Sequence, residues 1–170
     1  MAYTQSNRLL AVNTPLGKDV LLLTAFSGEE AMSRLFVYQL DMLSENKALA
    51  AKDISQGGIV GTAMMLAECS GVGAIIDVTT IPRPDGVVPE RWLQTFPSYG
   101  YILAVAPAQA EAVRKRFAVR GIAAAEIGDI TACGRVTITD GHSSEAVWDF
   151  AREPLIGCGA VPPQKAEAPA

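Results

Sequence analysis

Apolar and polar positions follow two different patterns along the chain. Before about residue 45 the apolar positions come in short runs separated by turn residues. Leu9 to Asn13 is one run, Thr14-Pro15-Leu16-Gly17-Lys18 is turn material, and Asp19 to Phe26 is a second run rich in leucine. Ser27-Gly28-Glu29-Glu30 breaks the pattern, and Leu35 to Leu40 resumes it with bulky and aromatic residues. Such residues between turn signals predict strands, and so few strands form a hairpin-like extension rather than a closed sheet.

From about Lys52 the apolar spacing alternates between the helical and the strand periods. Ile59, Val60, Ala63, Met64, Leu66 and Ala67 cover most of a helix surface over 59–69, with Gly71 as the stop. Ala74 to Val78 reads as a buried strand, Ile81 to Pro89 as a proline-bearing loop, and Pro89 to Leu93 as a helical turn with proline at its first position. Gly100 to Ala106 predicts a strand. Pro107 to Arg120 predicts an amphipathic helix, with Ala112, Val113, Phe117 and Ala118 inward, Arg114, Lys115 and Arg116 on the wet face, and Gly121 closing it. Strands over 122–130, 135–139 and 146–150 follow, the last two joined by an Asp140-Gly141 turn. The expected class is α+β, a mixed β-sheet covered by helices with a β-hairpin-like N-terminal extension. The expected organisation is a β-rich segment over 1–47, a main domain over 48–160 and a disordered tail over 161–170, which carries Pro162-Pro163, Gln164-Lys165 and one Ala-Pro pair.

Composition narrows the functions open to this fold. Of 170 residues, 49% are apolar and 19% charged, which is globular usage. The apolar runs are too short to span a bilayer, and no basic segment followed by an apolar stretch opens the chain, so cytoplasm is the expected location and no membrane partner is expected. A net charge of −4 without a Lys/Arg stripe argues against nucleic acid. Cys69, Cys133 and Cys158 are odd in number and widely spaced, which predicts three reduced, mostly buried thiols and no metal site. The single histidine, His142, stands in the turn-like Asp140 to Ser144 and is expected to be solvated, which leaves no histidine pair or triad.

One loop has the character of a binding site. Asp53-x-Ser55-Gln56-Gly57-Gly58 opens the first long helix. Asp53 or Ser55 can cap the free amides of its first turn. Adjacent glycines let the backbone approach a ligand at the positive end of the helix dipole, an arrangement suited to phosphate; the bland reading is a capped helix with a tight turn. Glu68, in an apolar helix, is either an internal carboxylate or, as the favoured reading, reaches solvent near the helix end. Asp77, closing a strand, either faces a ligand or binds turn amides. Trp92, Phe96, Tyr99 and Tyr101 are expected to pack as an aromatic cluster.

Two resemblances add to this reading. Lys52-Asp53-Ile54-Ser55-Gln56-Gly57-Gly58-Ile59, Met64 to Ala74, Trp92 to Tyr101 and Ala125 to Ile130 resemble, in order and spacing, the C-terminal domain of the aminoimidazole ribonucleotide (AIR) synthase superfamily over residues 52–156. Asn7 to Leu23, Ser33-Arg34-Leu35-Phe36 and Leu40 to Asn46 are similar to the start of type VI secretion spike proteins of the VgrG family. The junction falls near Glu45 to Lys52.

The first resemblance implies a substrate-binding half whose loop residues Asp53, Ser55, Gln56, Gly57 and Gly58 hold a phosphorylated or nucleotide-like small molecule. It also implies Mg-ATP, held in the family by an N-terminal half that nothing before Lys52 resembles. The chain alone is therefore expected to bind no cofactor and to carry no catalysis. It would work with an ATP-binding partner domain or as a homo-oligomer, and catalytic residues stay unassigned. The second resemblance implies a truncated spike-type structural component, or a non-functional fusion product.

Overall fold

The computed structural model describes residues 48–95, 100–119 and 121–158, together with the backbone of 21–26. Seven strands form one mixed sheet: β1 (Leu21–Phe26), β2 (Ala50–Asp53), β3 (Gly73–Asp77), β4 (Gly100–Val105), β5 (Ala123–Thr131), β6 (Arg135–Thr139) and β7 (Ser144–Asp149). Among the described residues, three helices accompany them: α1 (Gly58–Ser70), α2 (Pro89–Leu93) and α3 (Pro107–Ala118). Strand order is β2-β4-β1-β5-β3-β6-β7, and every neighbouring pair is antiparallel except β3 and β6. The α+β class and the mixed, helix-covered sheet agree with the sequence expectation.

The strand periodicity of β4 divides the core in two. All six of its residues are buried. Ile102 and Ala104 face the α1 side with Ile59, Ala63, Leu66, Ile76, Ile127 and Val136. Tyr101, Leu103 and Val105 face the α3 side with Ala110, Val113 and Phe117. Alternate residues of one strand thus supply both cores, as a period of two requires. Between β1 and β5 the register shifts, with Leu22 opposite Gly128 and Leu23 opposite Glu126, so Ile127 is the bulged residue and points into the α1 core.

Several sequence expectations change here. Instead of extending from the domain as a hairpin, Leu21–Phe26 is inserted into the interior of the sheet, paired with β4 on one side and β5 on the other. The runs at 9–13 and 35–40 and the tail at 161–170 fall outside the described residues. On α3, Ala112 and Ala118 are exposed, and Ala110 is buried in their place beside Val113 and Phe117. Spacing of 3, 4 and 7 from Ala110 keeps those three on one helix face. The aromatic cluster is split, since Trp92 packs against the α1 core and Tyr101 lies in the α3 core. Phe96 and Tyr99 lie outside the described residues.

Candidate functional site

The loop between β2 and α1 is held by main-chain bonds rather than by side-chain caps. Asp53 ends β2 opposite Tyr101, and the Ile54 amide donates to the Gly100 carbonyl at 2.9 Å, which continues the β2–β4 ladder one residue past the strand. The Ser55 amide then donates to the Thr62 hydroxyl oxygen at 3.0 Å, and the Gly58 amide donates back to the Ser55 carbonyl at 2.8 Å. Thr62 is fully buried one turn into α1 and anchors the loop from below.

Gly57 is the N-cap residue and makes no side-chain cap hydrogen bond, so capping by Asp53 or Ser55 is not what the structure shows. The Asp53 carboxylate pairs with Lys52 Nζ at 3.6 Å instead and is about half exposed. The first helical amide, that of Gly58, has its own backbone acceptor in the Ser55 carbonyl. Gln56 and Gly57 are exposed, Ser55 is partly buried, and Gly58 is buried.

Gly58 is required for two reasons. Its φ is +64°, and a Cβ there would land on the Leu93 carbonyl. The chain of α2 therefore lies directly behind the loop. Trp92 steadies that segment by donating its indole N–H to the Pro82 carbonyl at 2.9 Å. The five sequence-nominated residues, Asp53, Ser55, Gln56, Gly57 and Gly58, thus lie together at the N-terminus of α1, whose first turn carries no acidic residue. Sequence reading missed Thr62 and Leu93. A lone threonine on the buried face of an apolar helix was a signal for the first; a backbone carbonyl leaves none for the second.

The other candidates resolve differently. Asp77 Oδ1 accepts from the Thr79 amide at 2.9 Å and its hydroxyl at 2.6 Å, a turn-binding role. His142 is exposed, with its amide donating to Asp140 Oδ1 at 2.9 Å. Glu68 does not reach solvent: it is 4% exposed, and its carboxylate accepts from the amides of Leu155 at 2.7 Å, Ile156 at 2.9 Å and Gly157 at 3.2 Å.

The thiols are also rearranged relative to the expectation. Cys69 and Cys158 form a disulfide across 89 residues, with Cα atoms 5.1 Å apart, because the neighbouring Glu68 draws the 155–157 segment onto α1. Cys133 remains free but exposed, and the Thr131 hydroxyl, followed by the Arg135 backbone, holds its thiol below the ordinary range.

Among the described residues, two shallow grooves of about 440 and 360 Å³ lie at the β6–β7 end. In the larger, Asp149 Oδ2 is already matched by Arg135 at 3.2 Å and Arg152 at 3.7 Å. Among the described residues there is no cluster of three or more His, Cys, Asp or Glu side chains that could hold a metal ion. No helix among them is long and apolar enough to cross a membrane.

Comparison with known proteins agrees with this architecture. Residues 5–141 match the family described as AIR synthase related protein, C-terminal domain. An uncharacterized protein of Synechocystis sp. is 42% identical over 119 residues, covering 69% of this chain and 37% of its own. The chain therefore spans little more than a third of that relative's length. Among solved structures, phosphoribosylformylglycinamidine synthase II of Thermotoga maritima superposes with a TM-score of 0.69 at 13% identity, covering 81% of this chain and 26% of the synthase. The hydrogenase maturation protein HypE, in its complex with HypF, superposes with a TM-score of 0.62 at 16% identity over 82% of this chain and 55% of that one. Similar folds thus occur within assemblies of several proteins. The type VI secretion spike protein VgrG1b of Pseudomonas aeruginosa is 39% identical over 67 residues, 39% of this chain and 8% of the spike protein.

Proposed function

The chain belongs to the AIR synthase related family through its C-terminal domain, and from that premise we propose that it binds a phosphorylated or nucleotide-like small molecule at Asp53, Ser55, Gln56, Gly57 and Gly58. The observation that carries this reading is the exposed Gln56–Gly57 backbone at an α1 N-terminus with neither a side-chain cap nor a first-turn acid. A phosphate there meets the positive end of the helix dipole and an exposed main chain at Gln56 and Gly57. Asp53 and Ser55 flank that position and offer a carboxylate and a hydroxyl to a ligand's sugar hydroxyls.

ATP-dependent activation of such a ligand needs an ATP-binding half, which we assign to a partner domain. In such a reaction this chain's share is positioning: it orients the phosphate end of the substrate while chemistry proceeds at the other component. The similar fold of HypE in a complex with HypF supports a partner-dependent role, and that of the Thermotoga synthase, seen with ATP and with FGAR, supports a phosphorylated ligand.

The test is isothermal titration of the full chain with ribose 5-phosphate, inorganic phosphate and Mg-ATP. Saturable heat with ribose 5-phosphate at millimolar concentration is expected, and it should be lost in Gly57→Val and retained in Asp140→Asn. Silence of the unmodified chain towards all three probes would overturn the reading. So would equal heat from Gly57→Val.

A further inference from the structure

Beyond the last strand the chain doubles back over the end of α1, and the bonds that hold it there come in two kinds. The first is polar: both oxygens of the buried Glu68 are occupied by the consecutive amides of Leu155, Ile156 and Gly157, a backbone concavity closed around one carboxylate. The second is covalent, the Cys69–Cys158 bond one residue further along each segment.

Neither sulfur belongs to a strand. Cys69 is the penultimate residue of α1, and Cys158 lies nine residues past the end of β7. The sheet registers and both cores are made without residues 150–158, apart from Phe150, which packs at the border of the α1 core. Residues 151–154, 156 and 157 are exposed, and both cysteines are only partly buried, so a small reductant can reach the bond.

We propose that the Cys69–Cys158 disulfide is a reversible redox latch that holds residues 155–158 on the last turn of α1 when oxidised and releases them, with the sheet intact, when reduced. The reduction balances with a dithiol as the electron donor. The dithiol passes two electrons and two protons, the Cys69–Cys158 S–S bond breaks, two S–H bonds form, and the donor closes its own disulfide.

Release follows because the polar contacts do not suffice alone. Hydrogen bonds to an exposed segment compete with water, whereas fixing the backbone of each segment residue costs comparable conformational entropy. Opening also returns the Glu68 carboxylate to water, which removes its desolvation penalty. In the closed state the cross-link keeps the three amides at the carboxylate at high effective concentration.

The experiment uses the full chain, air-oxidised or treated with dithiothreitol, and reads thiol labelling by a maleimide together with amide hydrogen exchange. The oxidised chain should label at one cysteine, Cys133, and the reduced chain at three. Reduction should accelerate exchange at Leu155, Ile156 and Gly157 at least tenfold and leave β3 and β5 within twofold. Cys158→Ser should reproduce the fast exchange without reductant, and Cys133→Ser should leave the latch closed. Three reactive thiols in the oxidised chain would overturn the proposal. So would unchanged exchange at 155–157 after reduction, or accelerated exchange throughout the sheet, which would make the bond a support of the whole fold. If Cys158→Ser does not fold, the reduced unmodified chain still decides the matter.

Discussion

Replacing Gly58 by alanine should destabilise the fold in two separable ways. The first is conformational: φ of +64° costs an alanine about 1–2 kcal/mol. The second is steric. The new Cβ would coincide with the Leu93 carbonyl and lie 3.2 Å from Gln94 Cα, so α2 or the start of α1 must move, at about 1–3 kcal/mol. Gly71, the C-cap of α1, provides the control. Its φ is +67°, and a Cβ there meets nothing within 4 Å, so Gly71→Ala carries only the first cost. Both substitutions restrict the unfolded chain equally, and that contribution cancels in the comparison. Gly58→Ala should therefore lose about 2–5 kcal/mol and Gly71→Ala about 1–2 kcal/mol by the same principles. In a thermal scan at about 3 °C per kcal/mol, that means a drop of roughly 6–15 °C against roughly 3–6 °C. Urea unfolding with parallel slopes would measure the difference directly. Equal losses in the two variants would refute the claim that α2 backs the candidate loop.

Two further outcomes follow from the packing and the charges. Phe117, 2% exposed beneath α3, should cost about 3–5 kcal/mol when replaced by alanine; a loss below about 1 kcal/mol in urea unfolding would contradict its place in the α3-side core. The Ala151 amide, with Arg135 and Arg152 adding to it, holds the Asp149 carboxyl below its usual range. A carboxyl lowered by folding stabilises above its unfolded value near pH 4, and that stability fades as pH falls through the folded value. Asp149→Asn should accordingly flatten the acid limb of the stability profile between about pH 5 and 2, and an unchanged limb would remove Asp149 from the account.

What the sequence made legible was local. The stop at Gly71, the helical turn at Pro89 to Leu93 and the strand at Arg135 to Thr139 each depend on residues within a few positions of one another, and each stands where the pattern puts it. The glycine-rich loop was legible for the same reason. Strand β2 was not, because Ala50-Ala51-Lys52-Asp53 lacks the branched and aromatic residues that mark strands; its pairing with the wholly buried β4 overrides that weak preference. Glu68 and the Cys69–Cys158 bond were illegible because their partners lie 87–90 residues away, a distance at which spacing carries no geometry. The Asp53 and Ser55 side chains show a subtler failure. Their types suit capping, but Thr62 and the Ser55 carbonyl satisfy the loop first.

The interior position of β1 has a consequence for the order of assembly. It is the first described strand along the chain, yet its neighbours are distant: Leu21 waits for Val105 and Leu22 for Gly128, 84 and 106 residues later. During synthesis at the ribosome, about three-quarters of the chain must emerge before both flanks of β1 exist. Within the sheet, β1 is the seam between β2 with β4 on one side and β5-β3-β6-β7 on the other, two groups that otherwise meet through the α1-side core. Closing such distant pairs exacts its loop entropy before any contact repays it, which makes joining at this seam the natural slow event in folding.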